Sequence, residues 1–327
     1  MKVQLHKVFR RTAMTALLAA VSAALVPTAA LAAQLDNDAR SAIPSNVQQI
    51  IVIDYRAMQN SPAAMDLKAR ILPPQLKELE DALKHSSLND THDVDQLAFA
   101  AYRPNPNSEE SKIIGIAQGQ FSLQDILATM KKNKVKPVLW RTNKLYPLGG
   151  SGMTVVFLNP TTMIFGSGDA LKPALDARDG LAPNLLTNQA MLEQMGAVDT
   201  QPLWSILDQK GTQVMMRSLM GQASQLGDYD QVKKRMLGSR YTMDFQNGVK
   251  FSLDVSTPDT FTAATMSSLL NAAALYEKMS GSTVEQQAIN ATSIDSSAGT
   301  LEVRFAATDS QFSSLLQSSL FQSVVRQ

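Results

Sequence analysis

The chain has 327 residues and no cysteine. Disulfides, thiolate zinc sites, cysteine nucleophiles and iron–sulfur clusters are excluded in one step. So is the modified cysteine on which a bacterial lipoprotein anchor is built. Histidine is scarce as well: there are three, and His6 lies in the leader, which leaves His85 and His92. Without H-x-x-x-H spacing these do not make a zinc site, and a Ser–His–Asp hydrolase has almost no base to choose from. Beyond the leader no apolar run approaches the roughly 20 residues that a membrane-spanning helix needs. The glycine-rich signatures of nucleotide sites are missing too. "FGSGDALKP" (165–173) meets neither G-x-x-x-x-G-K-[ST] nor G-x-G-x-x-G, and "GGSGM" (149–153) is not G-x-S-x-G.

What is present begins with a leader. Lys2, Lys7, Arg10 and Arg11 precede the uncharged apolar segment 12–26. Pro27 then breaks it, and Ala30-Leu31-Ala32 places small residues at the −3 and −1 positions. This predicts a secretory signal peptide cut before Ala33, and hence a periplasmic or secreted protein. General secretion is favoured over the twin-arginine route, because "RRTAMT" lacks bulky apolar residues after the arginine pair. Removing residues 1–32 takes four of the 30 Lys and Arg and none of the 29 Asp and Glu, so the exported chain is net acidic by three. A globally basic nucleic-acid binder is not supported.

Apolar residues make up 44% of the chain, enough for a sizeable core. The spacing predicts a strand over 49–54 and a helix capped by Ser61 with Pro62 in its first turn. Strands at 95–103 and 112–121 follow. Ser122 and Asp125 then open a helix as a capping box, with Phe121 stapled onto Ile126. Strands are expected around 138–142, 145–148, 153–159 and 162–166, then a helix capped by Asp169. The second half runs in the same order. A strand at 203–208 ends in Asp208, as the first ended in Asp54, and a helical tract covers 212–237. Asn247-Gly248 turns a hairpin, and a helix follows Thr257-Pro258. A strand pair, 287–295 with 300–307, turns around Ser297-Ala298-Gly299, and Thr308 to Gln311 forms another capping box. The expectation is an α+β protein of two similar lobes, each β-α-β-β-α-β-β-α with an antiparallel sheet covered by helices. The corresponding boundaries are a signal peptide at 1–32, a short polar lead-in at 33–47, a first lobe at 48–180, a join at 181–200 and a second lobe at 201–327.

At "VQQIIVIDYRAMQNSP", "HDVDQLAFAAY", "IAQGQFSLQDI" and "FGSGDALKPALDA" the chain resembles a loose group of exported bacterial proteins of unknown function. Their shared motifs are a D-V-D lead into a strand, a G-x-F-capped helix and a terminal G-x-x-x-A-L helix. The resemblance covers mainly residues 44–180. It implies a secreted α+β protein and carries over no catalytic residue.

Three features have residues suited to chemistry. The densest ligand run holds Asn89, Asp90, His92, Asp93 and Asp95. A calcium loop needs a mid-loop glycine and a closing glutamate, and "DTHDVDQLAFAA" has neither. On a strand Asp93 and Asp95 share one face and His92 takes the other. A turn leading into a strand is therefore favoured over a metal site at Asp90, His92, Asp93 and Asp95. The second feature is the only lopsided charge run: Lys131, Lys132, Lys134, Lys136, Arg141 and Lys144 with Trp140 among them and no acid. It suits an anionic partner such as a phospholipid headgroup or acidic polysaccharide, although lysines also serve helix C-termini and exposed edge strands. The third is the methionine content of the second half, which suits either a core or an apolar pocket. No cofactor is expected. The reading is an exported, non-enzymatic binding or protein-interaction module of unknown specificity, whose partner is a protein or an envelope component. Its alternatives are a carrier of lipid or another apolar ligand, and a carboxylate-based hydrolase.

Overall fold

The computed structural model describes residues 34–71, 94–105, 110–148, 152–220 and 229–318. The expected signal peptide, Pro73-Pro74, Gly221, Gly227, Leu320 and Val324 lie outside them. The architecture is α+β, built on a twelve-stranded antiparallel sheet. Its strands are β1 (Val47–Asp54), β2 (Val94–Tyr102), β3 (Lys112–Gly119), β4 (Val138–Trp140), β5 (Asn143–Leu148), β6 (Met153–Asn159) and β7 (Thr162–Ser167) from the first half. The second half supplies β8 (Leu203–Leu207), β9 (Gly238–Asp244), β10 (Val249–Ser256), β11 (Thr292–Ser297) and β12 (Thr300–Ala307). The strand order is β11-β12-β10-β9-β8-β1-β2-β3-β7-β6-β5-β4. Strands from both halves thus run into one sheet, joined where β1 pairs with β8.

Around the sheet lie eleven described helices: α1 (Asn37–Ser41), α2 (Tyr55–Gln59), α3 (Pro62–Ile71), α4 (Leu123–Lys132), α5 (Gly168–Arg178), α6 (Gln189–Gly196), α7 (Gln209–Met220), α8 (Tyr229–Lys233), α9 (Thr260–Ser280), α10 (Thr283–Asn290) and α11 (Asp309–Leu315). On the front face α1, α5 and α6 bury a core that includes Ile50, Val52, Ala98, Ala100, Ile114, Ile116, Ile164, Trp204 and Ile206. Residues read as a polar lead-in and a join contribute to it: Leu35, Ala39, Ile43, Met191 and Met195 are all buried there. On the back face α4 covers Ala117, Val155, Met163 and Phe165. Further along, α7, α8 and α9 cover Leu253, Val255 and Leu301.

Most local signals have physical counterparts. Ser61 Oγ accepts the Ala64 N–H, as the cap predicts. Asp54 and Asp208, the aspartates that end β1 and follow β8, accept the N–H groups of Ala57 and Gly211 at 2.9 and 2.6 Å. Each therefore caps the helix after its strand. Asn247 and Gly248 both take positive φ in the β9–β10 turn. The Thr308–Gln311 capping box forms in both directions.

Other expectations are corrected. Ser122 precedes α4, but its hydroxyl accepts no cap bond. The Asp125 N–H is taken by the Ser122 backbone carbonyl instead, at 3.0 Å. Phe121 and Ile126 do share one buried cluster. The cap of α5 is Ser167, which accepts from Ala170, with Asp169 already inside the first turn. Asp259, after Pro258, caps α9. Residues 287–290 are helical rather than extended, because Ser282 and Glu285 form a reciprocal capping box that starts α10.

Candidate functional site

The lopsided charge run lies at one end of the sheet. Helix α4 closes with Lys131 and Lys132, whose ammonium groups complement its negative C-terminal end. The Lys134 N–H then donates to the Lys131 carbonyl and the Val135 N–H to the Met130 carbonyl, at 3.0 and 2.9 Å. These paired bonds are a Schellman turn. It places Lys134 at φ 58°, where glycine is the residue of least strain. After Pro137 the chain forms β4 and turns into β5 through Arg141 and Thr142, with Arg141 at φ 54°. Among the described residues four non-glycine residues hold positive φ, and two of them are these cations bracketing β4. Left-handed backbone costs an L-residue about 1–2 kcal/mol.

Helix α5 clamps the turn. Asp176 Oδ1 accepts from Arg141 Nε at 2.7 Å and from Trp140 Nε1 at 3.1 Å. Asn143 donates to Asp179 at 2.8 Å and accepts from Arg178 at 2.9 Å. Lys172 and Arg141 lie 5.2 and 5.5 Å from the Trp140 ring. The hydrogen bond from Arg141 holds the Asp176 carboxyl below the usual carboxylate range; burial opposes this and the Trp140 N–H assists it. Trp140 and Arg141 are thus committed to holding the hairpin against α5.

The remaining basic residues are not. Lys131, Lys132, Lys134, Lys136 and Lys144 are exposed. None of the five has an ion pair among the described residues. Between them β4 ends the sheet, with Val138 58% and Leu139 67% exposed. Leu139 stands opposite Lys144 in the ladder. The edge strand thus carries two large exposed apolar side chains, with Lys134 and Lys136 just before it in the chain and Lys144 beside it in the ladder. Sequence reasoning missed Val138, Leu139, Lys172 and Asp176. A short apolar run after Pro137 inside the lysine cluster was a signal for the first two. The α5 residues had none, because only the fold brings them to β4.

The other candidates are placed as follows. Asp90, His92 and Asp93, with Asn89, lie outside the described residues. Asp95 forms an ion pair with Arg56, and no group of three metal-ligating side chains occurs among the described residues. In "FGSGDALKP" the glycines lead from β7 into α5 and Ser167 Oγ is taken by its cap bond. Of "GGSGM", residues 149–151 lie outside the described set, and Gly152 turns into β6 at φ 78°. Met216, Met220, Met236 and Met266 fill the packed core beneath α7 and α9. A groove of about 180 Å³ between α10, α11 and β12, lined by Val284, Ala288, Phe305 and Leu315 with Gln287 and Gln311, has no charged lining residue. It is smaller than the ~300–1,000 Å³ usual for small-molecule sites.

No family model matches the chain, and no curated protein matches it. Similar solved structures are crystal forms of the Treponema protein TP0453. Form I is 8% identical with a TM-score of 0.47, covering 90% of this chain and 99% of that one. Form III is 10% identical with a TM-score of 0.47, covering 85% and 96%. Form IV is 9% identical with a TM-score of 0.44 over the same shares.

Proposed function

We propose that the chain is an exported, non-enzymatic binding module of the periplasm that engages an anionic envelope component through the β4 edge. The observation that carries the reading is the placing of unpaired cations around an exposed apolar edge, with Lys134 held in backbone that disfavours it. Charge retained at a conformational cost points to a use for the charge.

The same reading takes the two halves as similar lobes. Support comes from the order outward from the β1–β8 joint: β2, β3, β7, β6 on one side and β9, β10, β12, β11 on the other. The two capping aspartates, Asp54 and Asp208, fall at matching places. On this correspondence β4 and β5 have no counterpart in the second half, so the basic edge sits on an addition to the shared plan. The carrier alternative is less favoured because Met216, Met220, Met236 and Met266 pack as core. The hydrolase alternative is less favoured because the facing carboxylates Asp254 and Glu302 are both bound by Arg304.

The test is binding of a soluble polyanion such as polyglutamate, followed by fluorescence anisotropy. Replacing Lys131, Lys132, Lys136 and Lys144 by glutamate should weaken binding more than ten-fold. Equal affinity of this variant and the parent would sink the reading. N-terminal sequencing of the periplasmic protein should begin at Ala33; recovery of the chain only from the cytoplasm would remove the localisation.

A further inference from the structure

We infer that the partner of the β4 edge is the surface of an anionic lipid bilayer, with the lysines on headgroups and Val138 and Leu139 in the interfacial layer. This rests on the reading of that edge as a site for an anionic partner, and it names which one.

Acidic polysaccharide, acidic peptide and anionic lipid all offer negative charge, and the edge discriminates among them. Polysaccharides are held by aromatic faces and planar hydrogen-bonding groups. The Trp140 N–H is committed to Asp176 and its ring to Lys172 and Arg141. A peptide added as a further strand needs a run of unpaired edge backbone. Here β4 is three residues long, and Pro137 just before it has no N–H to donate. Lipid uses what is left. Val138 and Leu139 are successive strand residues, so they splay to opposite sides of the edge, and a plane laid against that edge meets both. Lysine stems lie along apolar surface while their ammonium groups stay at headgroup level.

Two weak signals are needed together for stable attachment. Each lysine near an anionic surface contributes roughly a five-fold gain in partitioning. The exposed apolar residues Phe261 and Met279 of α9, at 76% and 82%, are barer than Val138 and Leu139. Yet the charged residues of α9, Glu277 and Lys278, are adjacent and opposite in sign, so it lacks the second signal.

The experiment is co-sedimentation of the protein with vesicles of phosphatidylcholine alone or mixed with phosphatidylglycerol, at low and high salt. Binding should require phosphatidylglycerol and weaken with salt. Replacing Lys132 or Lys136 by glutamine should each reduce partitioning about five-fold. The double change Val138→Ser and Leu139→Ser should reduce it about ten-fold, while Phe261→Ser with Met279→Ser leaves it unchanged. Both apolar pairs are exposed, so melting curves should stay within a degree or two of the parent, as for surface changes generally. Polyanion binding that depends on the lysines, without vesicle binding, would overturn the lipid surface and keep the anionic edge. Vesicle binding lost only in the Phe261 and Met279 variant would overturn the assignment to β4. Binding to neither probe would overturn both.

Discussion

The two halves of the sheet use opposite means to finish the same front face. From β7 to β8 that face is apolar and lies beneath α1, α5 and α6. Beyond β8 the front core contains no residue of β9, β10, β11 or β12. Arg240, Asp254, Glu302 and Arg304 stand there instead, linked as Arg240–Asp254 at 3.1 Å, Arg304–Asp254 at 2.7 Å and Arg304–Glu302 at 3.3 Å. The first half is a sheet between two helical layers, and the second is a sheet with one layer and a wet face. A strand buried on both sides must be apolar throughout, whereas one buried on a single side must alternate. "IGIA" of β3 (114–117), buried at every position, follows the first rule, and "KFSLDV" and "LEVRF" follow the second.

The largest effect should come from Ile164 in β7. It is fully buried opposite Ile116, and Ile164→Ala should cost about 2–5 kcal/mol in urea unfolding. Next is Gly115 in β3, where an added methyl would lie 2.0 Å from the Phe165 ring. That ring packs edge-on against Phe99 at 6.0 Å, so Gly115→Ala should cost about 1–3 kcal/mol by crowding. A gain in stability would show that the doubly covered half has slack.

A smaller contrast is one of pH. Asp176 has its folded pKa lowered by the Arg141 hydrogen bond. Its contribution is present above the unfolded value and lost as pH falls through the folded one. Asp208 has its folded pKa raised by burial, against the bonds from Gly211 and Arg103. Its contribution is therefore present below the unfolded value and lost as pH rises through the folded one. Measured from about pH 6 down to pH 3, Asp176→Asn should flatten the acid loss of stability and Asp208→Asn should steepen it. Shifts of the same sign would show that the two sites are not opposed.

The smallest effect is expected on the wet face. Arg304 in β12 is half exposed, and Arg304→Ala should cost about 1 kcal/mol or less by thermal melting. A cost matching that of Ile164→Ala would mean that the open face is a covered one.

How much was legible follows the range of each interaction. Ser61, Thr308 and the Asn247-Gly248 turn were readable because a cap or tight turn is decided within four residues. The α10 cap is equally local, but the strand expected over 287–295 takes no account of the Ser282–Glu285 box that makes 287–290 helical. Ser122 shows the converse: its motif was present, yet the backbone carbonyl claimed the N–H that the hydroxyl was expected to hold. For the candidate site, the lysines and Trp140 were visible as a run. Their division into residues tied to α5 and residues left open was not.

By itself the sequence determined the caps at Ser61 and Thr308, the Asn247-Gly248 turn and the lack of thiol chemistry, because each depends on a residue and its near neighbours. Only the tertiary structure decided that β1 pairs with β8, that β7 rather than β4 lies against β3, and that β4 is left at the edge. Those outcomes depend on pairings between distant segments, and the exposure of Val138 and Leu139 follows from them.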